Sequence, residues 1–276
     1  MLWIVQGNLK KDVGMEYLIK VLQEEGYDHR LVRTIHFSNI IVDVDLDINQ
    51  YQEDSIPHVS IENNQNMVTM GSYSLALNAK EQGWTPGSFI NDNFEFSKWL
   101  QGWGASNLLN GDAIEDTVSN IIHKVPEHFI KLFSRPSEDT KSFAGQLFER
   151  ENFIYWLKKI EKGQDRFGLN GDTNIIISSA KNILAEYRLF IVDGVVITGS
   201  MYKVRDQVIA SEHIDSGVLD FANKMLSIWQ PDRAFVLDIA VTDDGERVIE
   251  VNNINSAGFY KSDISKIVKS IDSMKF

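Results

Sequence analysis

Residues Phe235 to Tyr260 read FVLDIAVTDDGERVIEVNNINSAGFY, and this stretch decides the fold. Two apolar runs flank Asp243-Asp244-Gly245, a turn signal, so the segment reads as a β-hairpin. The first run carries Asp238 among Val, Leu and Ile. The returning run carries Glu250 and Asn252, two residues apart and therefore on one face of a strand. Asp238 on the paired strand can meet them. Two carboxylates and an amide oxygen form a hard oxygen set of the kind that suits Mg²⁺ while leaving positions for phosphate and water. The competing reading makes Asp238 and Glu250 polar residues on the solvated face of a hairpin. Against it, an acid among branched apolar residues ordinarily needs a cation or donor nearby.

Outward from this hairpin, the second half of the chain is rich in paired strands. Asp193-Gly194 separates two more apolar runs, Ala185 to Val192 and Val195 to Tyr202, as a tight hairpin turn. Further strands are expected over His128 to Phe133 and Thr173 to Ser178. Helices are expected over Ser216 to Ile228 and through Ile264, Ile267, Val268 and Ile271, whose steps of three and four mark one helical face. The first half alternates differently. A strand at Leu2 to Val5 precedes a helix over Gly14 to Glu25, and strands are expected at Leu31 to Thr34, Ile40 to Val44, His58 to Ile61 and Met67 to Met70. Gly71-Ser72 opens a helix, and another follows at Glu95 to Gly102. This order predicts an α/β layer, with a domain boundary near residues 110–124.

Composition narrows the function classes. The chain has 276 residues, 43% apolar and 24% charged, with 39 acidic against 27 basic residues and a formal charge of −12. General affinity for nucleic acid or anionic membrane is not expected of so acidic a chain. There is no cysteine, which excludes disulfides, thiolate zinc sites and cysteine nucleophiles. No apolar run approaches the roughly 20 residues of a membrane span, and Met1 to Val5 reads as a first strand rather than a signal peptide. A cytoplasmic protein is expected, in the host cytoplasm if the source is viral.

With Asp238 followed by Glu250-x-Asn252, the sequence resembles the ATP-grasp superfamily. It is most similar to a group of predicted ATP-grasp ligases common in bacteriophages, on Gly71-Ser72, Glu186-Tyr187-Arg188 and the closing Asn255 to Tyr260. The resemblance implies an ATP-grasp fold of the α/β (α+β) class. It assigns residues 119–276 to the nucleotide-binding and catalytic part and 1–118 to an N-terminal α/β pre-ATP-grasp domain. It implies ATP and Mg²⁺, with Asp238, Glu250 and Asn252 on the metal. Lys131 in HFIKLFSRP and Lys141 in the flexible-loop segment SEDTKSFAG fall where the family contacts phosphates. Ser178 and Ser179, ending NIIISS, lead into the adenine hinge. Glu186 fits a ribose contact and Lys203 a phosphate contact.

Many relatives carry an arginine two residues before the metal Asp, where this chain has Val236. The charge on the transferred phosphoryl group must come from elsewhere, and Arg188, Arg205, Arg135 and Arg233 are the candidates in that order. Arg188, Lys203 and Arg205 are taken as the catalytic cations. For Arg188 a buried ion pair is the rival role; for Lys131 and Lys141, a plain surface lysine. The resemblance implies a carboxylate–amine ligase working through an acyl phosphate, with a small molecule, peptide or protein as substrate. The alternatives are a kinase on the same fold, or a non-catalytic nucleotide-binding protein.

Overall fold

The computed structural model describes residues 1–9, 12–35, 40–52, 55–59, 61, 65–137, 145–164 and 168–276. From the N-terminus it contains β1 (Leu2–Gln6), α1 (Val13–Glu24), β2 (His29–Thr34), β3 (Ile41–Asp43), β4 (Met67–Met70), α2 (Tyr73–Glu81), β5 (Pro86–Gly87) and α3 (Phe96–Trp103). Next come β6 (Ile114–Thr117), α4 (Val118–Ile121), β7 (Lys131–Pro136), β8 (Gln146–Glu149), α5 (Arg150–Glu161) and β9 (Asn174–Ser179). The C-terminal part adds β10 (Ile183–Val192), β11 (Val195–Val204), β12 (Gln207–Ser211), α6 (Ser216–Ile228), β13 (Ala234–Thr242), β14 (Gly245–Asn252) and α7 (Ile264–Asp272). The elements divide into two compact units, one of Met1–Trp103 with Ile183–Phe276, the other of Gly104–Asn182. None of the described helices is long and apolar enough to cross a membrane.

The first unit holds two five-stranded sheets. One runs β3-β2-β1-β4-β5, with β1 parallel to both β2 and β4. The other is antiparallel, β12-β11-β10-β13-β14. Local sequence explains the pieces. Asp12 caps α1 by accepting from the backbone N–H groups of Gly14 (2.9 Å) and Met15 (3.2 Å), and the helix buries Met15, Leu18, Val21 and Leu22. Asp263 caps α7, which buries Ile264, Ile267, Val268 and Ile271. Capping side chains of this kind contribute about 1 kcal/mol each. Both helices share one core with Trp3 and Val5 of the first, mixed sheet and Phe190 and Val236 of the antiparallel one. The β10–β11 turn has Asp193 at φ 48° and Gly194 at φ 76°. Two successive positive φ values define the tight hairpin that matches strand twist.

The second unit carries the antiparallel sheet β6-β9-β7-β8, packed on α4 and α5 through Val118, Leu132, Phe153, Leu157 and Ile175. Two expectations shift. The strand expected from His128 begins at Lys131, because Phe129 and Ile130 bond back to the carbonyls of Pro126 and His128. His58, Val59 and Ile61 form no strand; Val59 instead donates one backbone bond to Ile41 (2.8 Å) and packs its side chain inward.

Candidate active site

The antiparallel sheet brings together Glu186, Arg188, Lys203, Asp238, Glu250 and Asn252 among the residues singled out in the sequence. Arg188 on β10 faces Asp238 on β13, which faces Glu250 on β14. Directly opposed residues share a face, so the three side chains stand in a row. Arg188 grips Asp238 with a two-pronged contact, Nε to Oδ1 at 2.9 Å and Nη2 to Oδ2 at 2.7 Å. Asn252 donates through Nδ2 to Glu250 Oε1 (2.9 Å) and to Asp238 Oδ2 (3.3 Å). Asp238 is only 1% exposed. Burial pushes its carboxyl up to about 7, with Glu250 pushing the same way and Arg188 opposing. Burial acts to lower Arg188, but the hydrogen bonds and charge of Asp238 outweigh it and hold the guanidinium protonated.

Two β-bulges build this face. Asp238 pairs with Glu250 and Ile239 with Val248, so Ile249 is an extra residue on β14. It lets Val248 turn into the core while Glu250, two residues on, points into the site. On β11, Lys203 pairs with Glu186 and Met201 with Tyr187, leaving Tyr202 as the extra residue. Bulges re-aim side chains, and here two successive residues reach one carboxylate. Tyr202 donates its hydroxyl to Glu186 Oε2 (2.8 Å), and Lys203 its ammonium to Oε1 (2.7 Å). Burial first, then the charges of Asp238 and Glu186, push the Tyr202 phenol up, so it stays a donor.

A pocket of about 160 Å³ is lined by Asp12, Met15, Met70, Gly71, Ser256 and Gly258, among others. That is room for roughly five waters at their liquid volume. Its Gly258 carbonyl accepts from Arg188 Nη1 at 3.3 Å, so the pocket and the arginine share a wall. Gly71 is required there: a Cβ would lie 2.5 Å from the Cβ of Gln6, whose Oε1 accepts from Ser72 N at 2.8 Å. Asn255 ties this wall to the first, mixed sheet. Its Nδ2 donates to Thr69 O (2.7 Å), its Oδ1 accepts from Phe89 N (2.9 Å), and its carbonyl from Gly71 N (2.8 Å).

Most other candidates have partners of their own. Arg205 occupies an exposed turn at φ 50°. Arg233 is held by Asp193 in a two-pronged pair (2.7 and 2.9 Å). In the second unit Lys131 is 64% exposed and pairs with Glu149 at 2.9 Å. Ser178 donates to Asn110 Oδ1 (2.9 Å). Ser179 donates its hydroxyl to Asp112, and Lys181 reaches both Asp112 oxygens at 2.8 Å. Burial acts to raise Asp112, but these bonds and the lysine's charge hold it below its ordinary value. Nothing in the sequence had marked Asp112 or Lys181. Lys141 and Ser142 lie outside the described residues.

Residues 56–271 match the model of a family described as an ATP-grasp domain, the third family of its clade. The chain belongs to this ATP-grasp family. No curated protein matches it in sequence. Solved structures match its fold over nearly the whole chain. The ATP-grasp ligase PsnB, complexed with a minimal precursor, is 12% identical with a TM-score of 0.58, covering 99% of this chain and 98% of its own. The D-cycloserine synthetase DcsG is 12% identical with a TM-score of 0.59, covering 98% of each. D-alanyl-alanine synthetase A from Vibrio cholerae is 10% identical with a TM-score of 0.59, covering 100% of this chain and 94% of its own. At such identities the likeness is one of fold, and the fold is ATP-grasp.

As a metal set, the donor chemistry of the ATP-grasp row fits a hard divalent cation. Among the described residues no three His, Asp or Glu side chains converge; the third hard donor here is an amide. Each carboxylate oxygen offers two lone-pair directions, so Arg188 does not exhaust Asp238. Rotation of the Asn252 amide would present its oxygen in place of its nitrogen, an exchange that hydrogen-bond context alone decides. Two juxtaposed carboxylates, one pushed strongly up, are relieved by a cation between them.

Proposed function

We propose that the chain is an ATP-dependent carboxylate–amine ligase that releases ADP and phosphate and works through an acyl phosphate. The observation that carries this is the row Arg188–Asp238–Glu250–Asn252: a part-buried guanidinium paired with a hard-oxygen set. A kinase needs a base for a hydroxyl, whereas this reading commits both carboxylates of the row to the metal. The solved ligases named above share the fold, which supports the reaction class.

In this reading Asp238, Glu250 and Asn252 hold Mg²⁺, which neutralises phosphate charge when bound. Glu186 receives the ribose, and Lys203 leaves it for phosphate once nucleotide enters. Arg188 keeps Nη1 directed to the pocket wall and shares the charge that develops on the transferred phosphoryl group. Lys131, Lys141 and Arg205 supply further charge to the phosphates, and Ser178 and Ser179 border the adenine. The substrate carboxylate attacks the γ-phosphorus, and the bond to ADP breaks. The amine then attacks the acyl carbon, loses a proton, and phosphate departs with the bonding pair. Residues 119–276 would carry the nucleotide chemistry and 1–118 acceptor recognition. Motif likeness to bacteriophage ligases supports a viral source and a cytoplasmic setting.

The test is trapping. Pools of amino acids and peptides are screened for ADP release with ATP and Mg²⁺, and active carboxylates are then incubated without amine but with hydroxylamine. A ligase of this type yields the hydroxamate together with ADP. A stable phosphate ester formed in step with ADP would replace the ligase reading with the kinase one.

A further inference from the structure

Tyr260 is a bulky residue in the left-handed region, at φ 51°, and its side chain remains 46% exposed. Left-handed backbone is strained for any residue with a Cβ, and such strain persists only where surrounding contacts over-determine it. Two contacts do so. The Tyr260 ring stacks on Tyr202, with centroids 4.8 Å apart and planes 10° apart. The Arg188 guanidinium carbon lies 5.1 Å from the Tyr260 centroid and 5.7 Å from that of Tyr202. Tyr202 is itself the bulged residue anchored on Glu186. The guanidinium is thus held by Asp238 along one edge and by a pair of tyrosine rings beside it. A ring that served only packing would sit inside the core in relaxed backbone; this one lies half at the surface over a functional cation.

We propose that Tyr260 is a positioning residue that fixes the Arg188 guanidinium for its phosphate partner, with Tyr202 as its support. The inference rests on the reading of Arg188 as a phosphate-binding cation. Cation–π contact sets the plane of the guanidinium, and the planar fork then meets two oxygens at once. The ring's face does this; its hydroxyl is not needed.

The experiment compares the full-length chain with Tyr260→Phe, Tyr260→Leu, Tyr260→Gly and Arg188→Lys, measuring binding of Mg²⁺-ATP and of AMP by calorimetry and the melting temperature of each. Phe should bind Mg²⁺-ATP within about twofold of wild type. Leu and Gly should bind it about tenfold more weakly, a loss of one cation–π contact's size, with AMP binding unchanged. Gly should melt at or above wild type, since it adopts φ 51° freely. Arg188→Lys keeps a charge on Asp238 and loses the fork, so it should weaken Mg²⁺-ATP and not AMP. Wild-type affinity in Tyr260→Gly with loss in Arg188→Lys overturns the role of Tyr260 and leaves the site reading standing. Wild-type affinity in Arg188→Lys overturns the site reading and the proposal with it. Equal losses for ATP and AMP in the Tyr260 variants, or a loss in Phe as large as in Leu, assign Tyr260 to structure or to its hydroxyl and also overturn the proposal.

Discussion

Asp238→Asn should weaken the fold in acid and strengthen it in mild alkali. Burial, joined by the charge of Glu250, moves this carboxyl from 3.8 to about 7. An acid whose folded pKa lies above its unfolded value binds more protons in the folded state. Its favourable contribution is complete below the unfolded pKa and is lost as pH rises to the folded one. About three pKa units at about 1.4 kcal/mol each remove about 4 kcal/mol of stability across that window. Asparagine never ionises and lacks this slope. Its own penalty is pH-independent: one oxygen remains for Arg188, and its NH₂ faces a guanidinium N–H, an unsatisfied contact that costs about 1–3 kcal/mol. The variant should therefore lie about 1–3 kcal/mol below wild type near pH 4 and by a similar amount above it near pH 8. Urea denaturation of both proteins at the two pH values, without divalent cations, measures the crossing. Adding Mg²⁺ near pH 8 should raise the midpoint of wild type alone, and turnover should be lost in the variant. If Asn costs several kcal/mol near pH 8, as expected when a net-stabilising buried ion pair is broken, then Asp238 is structural and the reasoning fails.

Two further outcomes concern the second unit. Lys131→Ala should weaken ATP binding more than AMP binding while changing stability by less than about 0.5 kcal/mol, because its pair with Glu149 is exposed; calorimetry and a melt check both parts, and equal losses for the two nucleotides would contradict the phosphate role. Asp112→Asn should cost about 1 kcal/mol near neutrality through the lost pairing with Lys181. Because Asp112 is held below its ordinary value, that contribution is present above the unfolded pKa, and the difference from wild type, read by urea denaturation, should close as pH falls through the depressed one.

Much of the sheet architecture is legible in the sequence, because hairpins announce themselves at Asp193-Gly194 and Asp243-Asp244-Gly245 and because α7 repeats its apolar residues at helical spacing. The meeting of Asp238, Glu250 and Asn252 on one face is legible too, since Asp238 is a charge inside an apolar run and the other two lie two apart on the returning strand. The pairing with Arg188 is not. Arg188 and Asp238 stand 50 residues apart, and only strand register opposes them; sequence alternation cannot fix which residue of β10 meets which residue of β13. The bulges at Tyr202 and Ile249 are equally hidden, because a bulge breaks the alternation that strand prediction relies on. Without the first, Tyr202 and Lys203 would point to opposite faces and only one would reach Glu186. Asp112 and Lys181 escape notice because single charges in loops look like solvated surface until the fold closes them on Ser179.

The row on the antiparallel sheet carries an electrostatic imbalance that fits the proposed ligand role. Arg188 is enough to keep Asp238 folded but not enough to offset its burial, since the carboxyl still lies far above its ordinary value. An optimised structural pair would show the reverse, a depressed acid beside its arginine. Glu250 makes matters worse by adding a second carboxylate, and Asn252, donating to both, offers hydrogen bonds without charge. A sequence shaped for stability alone would replace such a row with apolar residues of similar volume, an exchange often neutral or favourable. Among the described residues no ion pair is made by Glu250. A hard divalent cation held by Asp238, Glu250 and Asn252 would supply the positive charge. On the proposed reading, the imbalance that destabilises the row by itself is what a bound cation would relieve.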